Sequence, residues 1–315
     1  MKIAVLDRAT LGDDLSLAAL DGLGEICVYD MTLPEEVAER ICDCDVVVTN
    51  KIKLNASNLY RAENLKLICV TATGYDNIDL AYCRAHHVAL CNVVGYSTQS
   101  VAQLTVASAL SLWHRLPVYA QYVRCGAYTQ SGVPNCLVPP YHETEGMTWG
   151  IVGYGNIGKR VAEMARALGF QVLAFARSEK EGVENVDLCE LCRRSDVISL
   201  HTPLNDGTRS MIDADMLARM KPSAILVNVA RGGVWDECAV AQALVQGRIG
   251  GVASDVYTVE PFTKEHPFYA IRDREDVCLT PHMAWGAYEA RARLIEEIAE
   301  NIRSFSAGGS RNRIV

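Results

Sequence analysis

No stretch of this 315-residue chain approaches the roughly 20 consecutive apolar residues that a helix needs to cross a bilayer. That excludes a helical membrane span, and no membrane partner is expected. Positive charge is in deficit as well: 30 Lys and Arg stand against 38 Asp and Glu, a formal net charge of −8. A chain this acidic is a poor ligand for the phosphate backbone of DNA or RNA, although a locally basic cleft can still attract a small anion. The opening run Met1-Lys2-Ile3-Ala4-Val5-Leu6-Asp7 is too short for the apolar core of a secretory leader and reads as a strand. Cysteine is plentiful, at 12 residues, but metal-site spacing is missing. Cys189 and Cys192 form one C-x-x-C and Cys42 and Cys44 one C-x-C, each without the second pair that a zinc site needs. No metal is expected, and the thiols read as small buried hydrophobes of a reduced, cytoplasmic protein. Low-complexity linkers and short repeats are absent too.

What remains is an ordinary globular balance, half hydrophobic and 22% charged, with material for two cores. Over the first 95 or so residues, short apolar runs alternate with amphipathic segments. The strand candidates are 2–6, 25–29, 46–49, 67–71 and 88–91; helical segments fall near 13–23, 34–41, 56–61 and 80–85. Strand–helix alternation predicts a parallel sheet covered on both faces, and five units fit a flavodoxin-like order. A long helix is predicted from about Thr98 to Leu116, stopped by Pro117. The Gly-, Pro- and Tyr-rich segment 126–146 reads as an irregular connection. A second series follows, with strands at 148–153, 171–175, 196–200, 224–228, 251–254 and 277–279. Its helices fall near 156–168, 189–193, 214–219, 237–246 and 287–306. The fold class is therefore α/β, with two doubly wound parallel-sheet domains.

The apolar run Thr148-Trp149-Gly150-Ile151-Val152 leads directly into Gly153-Tyr154-Gly155-Asn156-Ile157-Gly158 and then a helical segment. G-x-G-x-x-G alone is a weak signal. Between a strand and a helix it has a mechanism: Gly153 permits the tight turn, Gly155 lets backbone approach a pyrophosphate, and Gly158 lets helix pack on strand. The helix start offers unpaired N–H groups to the phosphates. The next strand, 171–175, points at the adenosine ribose, where NAD sites usually carry an acid. Here stand Ala176, Arg177 and Ser178. A guanidinium and a hydroxyl suit a 2′-phosphate, which favours NADP over NAD; an arginine can also stack on adenine without that phosphate.

Three later strands each end in a reactive group: Arg231 in Asn228-Val229-Ala230-Arg231-Gly232-Gly233, Glu260 in Asp255-Val256-Tyr257-Thr258-Val259-Glu260-Pro261, and His282 in Thr280-Pro281-His282-Met283-Ala284-Trp285. Singly, these are compatible with a surface charge, a loop acid and a core imidazole. Together they supply what reduction of a 2-keto acid needs. An imidazolium protonates the carbonyl oxygen, a carboxylate orients it and favours its charged form, and a guanidinium binds the substrate carboxylate.

These motifs, with Thr71-Ala72-Thr73-Gly74-Tyr75-Asp76-Asn77-Ile78-Asp79 and Gly95-Tyr96-Ser97-Thr98-Gln99-Ser100-Val101-Ala102-Gln103, resemble the D-isomer-specific 2-hydroxyacid dehydrogenase family over essentially the whole chain. Within it, the chain is most similar to the hydroxypyruvate reductase and glycerate dehydrogenase branch. The resemblance implies a Rossmann NAD(P)-binding domain, 99–287, inserted into a flavodoxin-like substrate domain, 1–98 and 288–315. It implies Arg231, Glu260 and His282 as the catalytic triad, and Thr73, Gly74, Arg231 and Trp285 as substrate contacts. Its cofactor set is Gly153, Gly155, Asn156, Ile157, Gly158, Arg177, Ser178, His201, Thr202, Pro203, Thr208, Ala230, Asp255 and Thr105. It implies a homodimer, with 117–146 at the interface. Gln103 departs from the acid common at that place in the family. The favoured substrate is hydroxypyruvate or glyoxylate. The alternatives are a reductase for pyruvate or a branched 2-keto acid, or a corepressor-like scaffold that binds NAD(H) without turnover.

Overall fold

β-branched runs such as Val46-Val47-Val48 bury both faces, so their sheet needs cover above and below. A computed structural model describes residues 1–315, which divide into two compact units: Met1–Ser97 with Trp285–Val315, and Thr98–Ala284.

In the first unit, β1 (Lys2–Val5), β2 (Glu25–Val28), β3 (Val46–Thr49), β4 (Leu67–Val70) and β5 (Ala89–Cys91) form a parallel sheet in the order β2-β1-β3-β4-β5. This is the expected flavodoxin-like order. One face is covered by the helix Tyr288–Ser306, through Ala290, Leu294, Ile295, Ile298 and Ile302. That spacing is a single apolar helical stripe. Val37, Ile41, Leu54, Leu59 and Cys83 cover the other face. The strand order reverses between β1 and β3, where doubly wound sheets carry their ligand loops. There the buried Asp7 carboxylate accepts the N–H of Asn50 at 2.9 Å and of Lys51 at 2.6 Å, and the Thr49 hydroxyl at 3.3 Å. It ties the loop after β1 to the loop after β3.

In the second unit, β6 (Thr148–Val152), β7 (Gln171–Phe175), β8 (Glu184–Asn185), β9 (Val197–Leu200), β10 (Ile225–Asn228), β11 (Gly251–Ser254) and β12 (Val277–Leu279) are parallel, in the order β12-β11-β10-β9-β6-β7-β8. The chain winds outward from β6 in both directions, as in a Rossmann sheet, with its switch point between β6 and β9. The helices Thr98–Trp113 and Asn156–Ala167 place Ala102, Ala109, Leu112, Val161 and Ala165 against Trp149 and Ile151 on one face. Leu191, Leu217, Val240 and Leu244 line the other.

Several expected elements differ. The segment 13–23 is not a continuous helix. Leu11, Leu15 and Leu20 are buried, but Gly12 and Gly22 adopt positive φ, and only short 3₁₀ turns form at Arg8–Leu11 and Ala18–Leu20. The long helix stops at Trp113, not Leu116. Arg115 is left-handed, and a new helix, Leu116–Arg124, starts with Pro117 in its first turn, where the missing N–H costs nothing. Part of the expected irregular segment is a short helix, Ala127–Ser131. The two-residue β8 is too short and polar to show an apolar pattern. The C-terminal piece of the first unit begins at Trp285, because Trp285 and Ala287 pack against that unit's core.

Candidate active site

The glycine loop lies at the switch point of the second sheet. Gly153 follows β6 with φ 97°, and its N–H donates to Phe175 O at 2.9 Å. A Cβ there would lie 2.8 Å from His201 C and 2.9 Å from Thr202 Cγ2, so the end of β9 presses directly on the turn. A Cβ on Gly158 would collide with the Gly153 carbonyl oxygen, whereas one on Gly155 would meet open space. Gly155 begins the helix Asn156–Ala167 with no side-chain cap, leaving the first N–H groups, those of Asn156 and Ile157 among them, for a ligand. A loop closed by Gly153 and Gly158 and open at Gly155 fits a dinucleotide pyrophosphate. The structure thus brings the expected residues Gly153, Gly155, Asn156, Ile157, Gly158, His201 and Thr202 together.

The Nδ1 of His201 is closed off from solvent, and burial of the ring pushes its pKa down to about 3, which favours the neutral imidazole. Its Nε2 meets Ser199 Oγ at 2.9 Å, and Ser199 in turn accepts Trp149 Nε1–H at 2.9 Å. Pro203 and Thr208 shape the following loop: the Thr208 hydroxyl donates to Pro203 O at 2.6 Å and accepts Asn205 N–H at 2.9 Å. Past the end of β7, Arg177 and Ser178 are exposed. Lys180, which sequence reasoning did not single out, donates to Ser178 Oγ at 2.9 Å. Asn185 holds that loop by bonds to the Lys180 N–H at 2.8 Å and carbonyl at 2.7 Å. Thr105 departs from its expected place as a phosphate contact. It is fully buried, and its hydroxyl donates one turn back to Val101 O at 2.8 Å.

β10, β11 and β12 are neighbours, and the loops leaving them carry Arg231, Glu260 and His282. His282 Nδ1 lies 2.6 Å from Glu260 Oε2, with both side chains partly exposed. The other Glu260 oxygen accepts Tyr257 N–H at 2.9 Å. The pair is therefore held through Nδ1, which fixes the orientation of the ring against the carboxylate. His282 has φ 54°, a conformation unusual for a residue other than glycine. The buried Asp255 holds the chain on both sides of it, accepting Thr280 Oγ1–H at 2.6 Å, Met283 N–H at 2.8 Å and Ala284 N–H at 2.8 Å. An aspartate expected to contact cofactor thus also fixes the histidine loop. Tyr257 joins the strands: its hydroxyl donates to Thr280 O at 2.9 Å, and burial pushes its phenol well up, so it stays a donor. Arg231 is half-buried, with Nη1 donating to Ala230 O at 2.8 Å. Asn228 brackets that loop, donating to Arg231 O at 2.9 Å and accepting Ala230 N–H at 3.0 Å. Sequence reasoning assigned Asn228 and Tyr257 no role. The available signal was a polar side chain at the end of an apolar strand, which burial obliges to find partners.

In the first unit, the Thr73 hydroxyl donates to Val93 O at 2.7 Å and the Thr73 carbonyl accepts from Asn92 Nδ2 at 2.7 Å. The threonine side chain thus anchors the loop after β4.

A doubly wound sheet with a glycine turn at its switch point, and an imidazole–carboxylate pair and a guanidinium on its neighbouring strand ends, defines a dinucleotide-dependent dehydrogenase. Residues 106–284 match the family described as D-isomer specific 2-hydroxyacid dehydrogenase, NAD binding domain. The chain is 38% identical to glycerate dehydrogenase of Methylorubrum extorquens, over 99% of this chain and 98% of that one. It is 34% identical to hydroxypyruvate reductase of Blautia hydrogenotrophica, over 99% of each. Among solved structures, D-lactate dehydrogenase from Aquifex aeolicus complexed with NAD and lactic acid superposes with a TM-score of 0.85 at 26% identity, covering 98% and 96% of the two chains. The chain belongs to the D-isomer-specific 2-hydroxyacid dehydrogenase family, and it is an oxidoreductase with an NAD(P)-binding domain. No helix is long and apolar enough to cross a membrane.

Proposed function

We propose that this chain reduces hydroxypyruvate or glyoxylate to the corresponding 2-hydroxy acid, with His282 as general acid, Glu260 as its partner and Arg231 as the substrate anchor. The observation that carries this reading is the 2.6 Å contact of His282 Nδ1 with Glu260 on adjacent strand ends of the dinucleotide-binding sheet. When bound, the reduced dinucleotide supplies the hydride. As the carbonyl oxygen gains negative charge, His282 Nε2 delivers the proton that makes it a hydroxyl. Glu260, held by the Tyr257 N–H, orients the imidazole through Nδ1. Arg231 pairs with the substrate carboxylate and polarises the carbonyl. In oxidation His282 takes the proton back. The cofactor is NADP in preference to NAD, on the strength of Arg177 and Ser178. The chain works as a cytoplasmic homodimer.

The test is a steady-state panel of four keto acids against both cofactors, with a His282→Ala variant. The expected result is turnover of hydroxypyruvate and glyoxylate above pyruvate and a branched keto acid. The variant is expected to lose about a thousandfold in kcat, with cofactor affinity nearly unchanged. Cofactor binding without turnover of any keto acid would favour a scaffold. An equal loss of cofactor binding in the variant would remove His282 from its role.

A further inference from the structure

A second histidine–carboxylate pair lies outside the residues so far given a role. Glu237 is buried, yet its carboxylate has every near partner a donor. Oε1 accepts Thr258 N–H at 3.0 Å; Oε2 accepts the Thr258 hydroxyl, in a short bond, and His266 Nε2–H at 3.0 Å. The tautomer follows from the other nitrogen. His266 Nδ1 accepts Phe268 N–H at 3.2 Å as the cap of the helix Pro267–Ile271, so the proton sits on Nε2. The ring stacks on Phe262 at 5.0 Å and meets Tyr257 and Phe268 edge-on at 5.9 and 5.3 Å. Such walls exclude water and make each bond costly to lose.

What this pair holds is the Tyr257–Thr258 peptide, and three other constraints meet there. Glu260 hangs from the Tyr257 N–H. The strand leading to His282 hangs from the Tyr257 hydroxyl through Thr280. Gly232, next to Arg231, lies so close that a Cβ on it would collide with Tyr257 C and Thr258 N. We propose that Glu237, with His266 behind it, is a positioning residue that sets the Glu260–His282 alignment by fixing Thr258. The inference rests on the catalytic reading above. A carboxylate is needed because three donors converge on it, and an amide in its place would set its own N–H₂ against one of them.

The experiment compares Glu237→Gln, Glu260→Gln and the double variant with the parent, using hydroxypyruvate and NADPH, with a full pH–rate profile for each. Glu237→Gln is expected to lower kcat by about tenfold or more with KM for NADPH within about twofold. It should also move the basic limb of the profile to lower pH, because a loosened Glu260 supports the imidazolium less. In the Glu260→Gln background, the same change should cost less than about twofold, since the group it acts through is gone. An unmoved basic limb, or an equal loss in both backgrounds, overturns the proposal. If Glu237→Gln does not fold, Thr258→Val removes only the hydroxyl and carries the same test. A smaller shift of the limb in the same direction supports the proposal, and an unmoved limb overturns it. If the parent itself has no turnover, the catalytic reading has failed instead.

Discussion

Arg177 stands exposed just past β7, where the sheet delivers the adenosine ribose in this kind of fold. A ribose 2′-OH would call for an acceptor, and none of Ala176, Arg177 and Ser178 supplies a carboxylate. The Lys180 amine, 2.9 Å from Ser178 Oγ, adds a second cation to the same turn. Two cations and a hydroxyl match a dianion, and the Asn185 bonds hold the turn in place before any ligand arrives. Replacement of Arg177 by Ala should therefore weaken NADPH by about ten- to a hundredfold, while changing NADH by no more than about threefold. Fluorescence titration of both reduced cofactors measures this directly. Equal weakening of the two would mean that the guanidinium stacks on adenine and does not read the phosphate.

At the scale of elements, legibility followed the range of the interaction. The β6–glycine turn–helix sequence was readable because its parts are contiguous and each glycine has a local reason. The buried strands were readable because both-face burial leaves a continuous apolar run. The Glu237–His266 pair was not, because 29 residues separate its members and periodicity reports a face, never a partner. Thr105 was misread as a phosphate contact for a related reason, since a helical threonine has a carbonyl one turn back always within reach. Pro117 was read as a stop when it is a start. That second helix, Leu116–Arg124, has no buried residue, and its apolar Leu116 and Val123 are 55% and 58% exposed. Val133, Leu137, Val138 and Tyr141 extend the same apolar segment into the following connection, each at least half exposed. Exposed apolar side chains in this segment support the homodimer proposed above. Light scattering on a sizing column should give twice the chain mass. A Val123→Glu, Leu137→Glu variant should shift toward the monomer. A parent that runs as a monomer at micromolar concentration would dismiss the homodimer.

Across the whole molecule, two buried titratable groups at the two switch points make stability respond to pH in opposite senses. In the second unit, burial holds His201 down to about 3, against about 6.5 in an unfolded chain. The unfolded state therefore binds the proton more readily, and stability that is complete above about pH 6.5 falls as the pH drops toward 3. At pH 5 the loss is roughly 2 kcal/mol from this one group. In the first unit, burial of Asp7 outweighs its hydrogen-bond donors and raises it from the ordinary aspartate value. The stability Asp7 contributes is present below about pH 3.8 and is lost as the pH rises through its folded value. Between pH 7 and 5, acid should thus destabilise Thr98–Ala284 through His201, while Asp7 gives the first unit no comparable loss. Calorimetry without cofactor at pH 7, 6 and 5 should show a melting temperature that falls with pH in the parent and falls less in a His201→Gln variant, whose amide can still reach Ser199. Identical slopes for parent and variant would show that the imidazole is protonated inside the fold without penalty, contrary to its sealed position between Ser199 and the glycine turn.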